Sequence, residues 1–149
     1  MSEYRADAWT EGEAYIFGVL CEATGAVPSK TAFLGMLPPQ TGSWALDIGG
    51  GVESSPFKDM PPGEIKFDGI LQTHFAPTAR DLAQRTALQW LSVLPIRQQD
   101  GPVYVCRASA PPKVTWGYIP VMDDKGVEKY KVGCWQVTLE LEAVLRIRY

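Results

Sequence analysis

Nucleophiles and general bases are scarce in this chain. Its only histidine is His74, and its three cysteines, Cys21, Cys106 and Cys134, stand far apart without a C-x-x-C pair. An odd, unpaired set of this kind reads as reduced thiols of a cytosolic protein, each a small buried apolar side chain. Zinc ligation needs tighter spacing than Cys106, Cys134 and His74 offer, so no metal is expected. No G-x-S-x-G elbow occurs, and no cysteine has the context of a nucleophile. Basic charge is also in deficit: 14 Lys and Arg stand against 17 Asp and Glu, a net charge of −3. That argues against a surface that grips nucleic acid, because neutralising phosphates takes clustered cations. No stretch approaches the ~18 apolar residues of a membrane span. Met1–Arg5 has no apolar run behind its charges, so a soluble chain without signal peptide is expected.

With 149 residues, 46% of them hydrophobic, the chain is read as a single domain. A domain of this length buries roughly 70% of its unfolded surface. The expected first element is a helix from Glu11 to Thr24. Thr10 and Glu13 have capping-box spacing, Tyr15, Ile16, Val19 and Leu20 recur at helical period, and Gly25 fits the stop. The apolar run Thr31–Leu37 reads as a strand. Residues 38 to 64 are crowded with proline and glycine and read as a long loop with little regular structure, which is generally functional. Trp44, Phe57 and Met60 in it are candidate interface residues, with a satellite core beneath the loop as the plain alternative.

Lys66–Phe75 alternates as a strand, with His74 half-exposed on its more polar face. Thr78, with Asp81 at N3, is expected to cap a helix reaching Leu94 and ended by Pro95. Val103–Arg107 then makes residues 66 to 107 a βαβ unit with a right-handed crossover. Val114–Met122 and a turn at Asp123-Asp124-Lys125-Gly126 lead into a return strand, Lys131–Tyr149. Thirteen of its residues hold period two. A strand so long should bend or pair outside the domain, because an exposed edge invites another chain. Glu140, Glu142, Arg146 and Arg148 are its candidate interface charges; a solvated face is the plain reading.

Ala45-Leu46-Asp47-Ile48-Gly49-Gly50-Gly51 resembles the first motif of methyltransferases that use S-adenosylmethionine. That motif needs a strand, a glycine turn and then a helix. Here Val52–Pro62 carries prolines and no helical period, so a short Gly-rich match stands alone.

The order of elements resembles the tail terminator proteins of long-tailed bacteriophages and related tail-completion and minor capsid proteins. The resemblance is best from Lys66 to Tyr149. It lies in Ile70-Leu71-Gln72-Thr73-His74-Phe75, Arg80-Asp81-Leu82-Ala83, Gly101-Pro102-Val103-Tyr104-Val105 and Trp116-Gly117-Tyr118-Ile119-Pro120. Asp123-Asp124-Lys125-Gly126 and Trp135-Gln136-Val137-Thr138-Leu139-Glu140 complete it. The resemblance implies a virion protein of the tail or neck, present in the host cytoplasm during assembly. It implies a homo-oligomer, a hexameric ring that caps the tail tube protein and meets the head-tail connector protein. DNA would pass through the ring without specific binding.

The expected fold class is α+β: a mixed, mainly antiparallel sheet of about five strands, with two helices packed on one face. No catalytic residue, cofactor or membrane is expected. The alternatives are a small methyltransferase-like enzyme using the Asp47–Gly51 loop, and a monomeric binding or adaptor module.

Overall fold

The computed structural model describes residues 8–52 and 63–146, with backbone alone over 50–52. Two helices, α1 (Ala8–Thr24) and α2 (Arg80–Val93), pack against a sheet of six strands. The strands are β1 (Ala32–Leu34), β2 (Trp44–Val52), β3 (Glu64–Phe75), β4 (Val103–Ala108), β5 (Lys113–Met122) and β6 (Glu128–Arg146). Their order is β1-β2-β3-β6-β4, with β5 also on β6. Among these strands only β1 and β2 pair in parallel; the other strand pairings are antiparallel. The class is therefore α+β with a mixed, mostly antiparallel sheet, one strand richer than expected.

The additional strand is β2. Residues 38 to 64, expected to lack regular structure, contain a nine-residue strand, seven residues of which pair with β3. Trp44, Ala45, Leu46 and Ile48 within it are buried, and the Gly49–Gly51 run lies inside the strand.

β6 is the centre of the sheet, and its alternation explains why. Val137, Leu139, Leu141, Ala143 and Leu145 are buried against the helices. Burying each such aliphatic side chain stabilises by about 1.5–3 kcal/mol. β3 covers one edge of β6 from Trp135 to Arg146. Two strands share the other edge, β5 along Glu128–Thr138 and β4 along Leu141–Leu145. Since β3 and β4 both run antiparallel to β6, they are parallel to each other with β6 between them. The βαβ unit expected over 66–107 is thus split by the last strand.

Both helices lie on one face and join one core with Ile16, Leu20, Ala83, Ala87 and Trp90. Gly12 lets α1 approach closely, because a Cβ there would stand 2.8 Å from Leu145 Cδ2. The small Ala83 and Ala87 do the same for α2. α1 ends in a Schellman turn: Gly25 takes φ 72° and the Ala26 amide donates to the Cys21 carbonyl at 3.1 Å.

Its expected start is not as the capping-box spacing suggests. Thr10 lies inside α1, and Glu13 Oε2 instead accepts the Ile48 amide at 2.8 Å, tying the helix to β2. Thr78 likewise does not cap α2. Ala79 takes the N-cap position, with no side-chain cap.

Candidate functional site: assembly surfaces

A β5–β6 hairpin arm and the open face of the sheet carry the exposed chemistry. The arm follows from strand lengths. β3 ends at Phe75 opposite Trp135, so Glu128–Cys134 of β6 continue past it with only β5 alongside among the described residues. Seven residues of strand extend about 23 Å. Asp123 closes the hairpin, its Oδ1 accepting the Lys125 amide at 2.8 Å and the Val127 amide at 2.9 Å.

Trp116 pairs with Trp135, Tyr118 with Gly133 and Pro120 with Lys131, so these side chains share one side of the arm. Gly133 leaves room there, since a Cβ at that position would collide with the Trp116 ring. Trp116 meets Trp135 edge-on at 5.1 Å between centroids and Tyr118 at 6.1 Å. The Arg80 guanidinium from α2 lies 5.2 Å over Trp135. Trp116 remains 45% and Tyr118 61% exposed, unusual for a ladder of large rings in water. Lys129 and Lys131 are exposed beside them.

On the opposite side of the sheet no helix packs among the described residues. Asp47, Asp68, Gly69, Ile70, Ser109, Glu140 and Leu141 line a cavity of 460 Å³ there. Asp47 also borders a more open groove of 750 Å³, floored by Gln72, His74 and Gln136. Met36, Leu37 and Pro39 stand among the residues lining that groove, as do Ile119, Pro120 and Met122 of the arm.

His74 departs from its expected exposure. It is buried, and its Nε2 has no hydrogen-bond partner among the described residues. Burial pushes its pKa below the usual histidine range, and a backbone hydrogen bond at Gln40 opposes the shift.

The expected interface residues divide sharply. Trp44 is in the core, 5.4 Å from Phe17 between ring centroids, and cannot meet a partner. Its place on β2, facing the helices opposite Thr73, is the reason. Glu140 is exposed on the open face. Glu142 is engaged within the sheet by Lys66 at 3.1 Å and Arg107 at 3.0 Å. The Lys66 hydrogen bond leads in holding its carboxyl below the ordinary range, joined by Arg107 and resisted by burial. Arg146 closes the fold: its Nη1 donates to the Gln98 and Gly101 carbonyls, each at 2.8 Å, and its Nε lies 3.7 Å from Glu64. Phe57, Met60 and Arg148 lie outside the described residues.

Trp116, Tyr118, Lys131, Asp47 and Asp68 were not singled out by sequence as surface groups. Alternation places residues on one side of a strand but does not tell which side the helices cover.

Gly49, Gly50 and Gly51 continue β2, with a register shift between Ile48 and Gly51. Gly49 is required by α1: its φ is 150°, and a Cβ there would stand 2.5 Å from Trp9 Cζ2. All three thiols are buried, and burial pushes each pKa up, that of Cys106 to about 12. Among the described residues no group of three or more His, Cys, Asp or Glu is placed to hold a metal ion, and no helix is long and apolar enough to cross a membrane. No protein-family model matches the chain, and no curated protein matches it.

Proposed function

We propose that this chain is a structural assembly subunit, the tail terminator of a long-tailed bacteriophage, forming a hexameric ring on the end of the tail tube. The observation that carries the assembly reading is the β5–β6 arm, which projects beyond β3 and leaves Trp116 and Tyr118 largely in water. A lone folded chain gains nothing from holding such rings exposed, whereas a neighbour's surface would bury them. The choice of a tail terminator over other assemblies rests on the resemblance of Lys66–Tyr149. In that role the subunit stops tube growth and presents a surface to the head-tail connector. Its modest negative charge lets DNA pass through the lumen without capture.

Electron microscopy of the purified chain mixed with tail tubes tests the proposal. Rings closing one end of each tube are the expected result. Bare tubes, with the chain left free at saturating concentration, would overturn it.

A further inference from the structure

One chain carries two exposed surfaces of opposite character on opposite sides of its sheet. The helix side of the arm presents Trp116, Tyr118 and Lys131, with the Arg80 cation over Trp135 and Lys129 exposed nearby. The far side presents carboxylates. Asp47, Asp68 and Glu140 line one cavity there, and no ion pair engages them among the described residues. Lys66 and Arg107 on that face both pair with Glu142, and Lys113 stands opposite Thr138 at its β5 edge.

The adjoining groove adds a separate sign of a missing partner. His74 lines it, buried to all but 3% of its surface, with an unpartnered ring nitrogen. A buried polar atom left unmatched costs about 1–3 kcal/mol. Met36, 83% exposed, stands at the rim of the same groove. The face therefore leaves Asp47, Asp68 and Glu140 without an ion pair and His74 Nε2 without a hydrogen-bond partner among the described residues, and the arm supplies cations and apolar cover directly.

We propose that the Trp116–Tyr118–Lys131 side of the arm docks on the Asp47–Asp68–Glu140 face of a second copy of this chain. The inference rests on the ring reading and specifies its contact. The two complementary surfaces lie on opposite sides of one sheet, so the contact joins unlike patches of successive subunits. Head-to-tail contacts of that kind close into rings or run on as filaments, whereas a two-fold dimer would use one patch twice. The lysines and carboxylates set register and exclude wrong pairings, while the aromatic rings supply buried area.

A charge exchange tests the contact. An arm variant carries Lys129→Glu and Lys131→Glu; a face variant carries Asp68→Lys and Glu140→Lys. All four positions are exposed. Assembly is followed by sedimentation velocity and native mass spectrometry across protein concentration, up to the millimolar range. Each variant alone is expected to need about tenfold or more protein to assemble than wild type. Their equimolar mixture, in which every junction again joins opposite charges, is expected to assemble as wild type does. That rescue also establishes that both variants fold. Wild-type assembly with variants that match it, or variants that fail without rescue on mixing, would overturn the contact and leave the ring standing. A wild type that remains monomeric at millimolar concentration would overturn both.

Discussion

The indole Nε1 of Trp9 donates to the Ile48 carbonyl at 2.6 Å, and its ring fills the space a side chain at position 49 would need. The Ile48 amide donates to Glu13 from the same helix. α1 thus holds both backbone groups of one residue, at the point where β2 shifts register against β3. Gly49→Ala should cost about 1–3 kcal/mol, through both the collision and the positive φ. Glu13→Ala should cost a similar amount by stranding a buried amide, at about 1–3 kcal/mol. Glu13→Gln keeps an acceptor and should come close to wild type. Urea titration followed by tryptophan fluorescence checks all three. Wild-type midpoints for Gly49→Ala and Glu13→Ala would show that this junction does not hold the helix.

His74 sets a pH response. Burial keeps its imidazole neutral below the usual range, so the folded chain resists a proton that the unfolded chain accepts near 6.5. Its contribution to stability is complete above that value and falls as pH drops below it. Glu13 and Glu64 act in the opposite sense. Burial raises both carboxyls, so acid favours their folded forms. The stability difference between wild type and His74→Gln isolates the histidine. It should shift against wild type as pH falls from about 8 to 5.5. A difference constant over that range would place His74 in contact with solvent.

The three cysteines should be silent in the native protein. They are buried and their thiols are raised, Cys106 to about 12. Reaction depends on thiolate and access together. At pH 8 a disulfide reagent such as Ellman's should release negligible colour from folded protein and three equivalents after unfolding in guanidinium. Rapid native labelling of even one cysteine would contradict the packing around it.

Much of this architecture was legible because it rests on periodicity. The thirteen alternating residues of the last strand announced β6, and Gly25 announced the end of α1. What escaped was set by contacts distant in sequence. β2 was hidden because its glycines read as a loop. Only Trp9, 40 residues earlier in the chain, explains why glycine is needed at position 49. Trp44 read as a loop aromatic because a strand that begins beside turn residues shows no long alternation. The Thr10–Glu13 spacing fitted a cap, yet Glu13 found a better use in the Ile48 amide. Of the carboxylates lining the open-face cavity, sequence singled out Glu140 but not Asp47 or Asp68. Asp47 and Asp68 join it through the pairings Asp47↔Ile70, Ile70↔Glu140 and Asp68↔Glu142, which no local pattern encodes.

Arg146, a candidate interface residue from sequence, secures the β4 end of the sheet. Its guanidinium donates to two carbonyls of the 98–101 loop, lies 5.3 Å over the Tyr104 ring and pairs with buried Glu64. Lysine cannot reproduce that planar set of donors, so Arg146→Lys should cost about 1–2 kcal/mol. Arg146→Met should cost more, about 3–5 kcal/mol at neutral pH, because it leaves the Glu64 carboxylate buried without a counter-ion. Arg146 draws the Glu64 pKa down against the larger effect of burial. Its removal therefore lets that pKa rise further, and the folded variant takes up a proton more readily than the unfolded chain. The methionine variant's deficit should consequently narrow as the pH is lowered from 7 towards 5. Thermal melts of wild type and both variants across that interval provide the measurement. A deficit that stays constant would mean Glu64 reaches water once the arginine is gone.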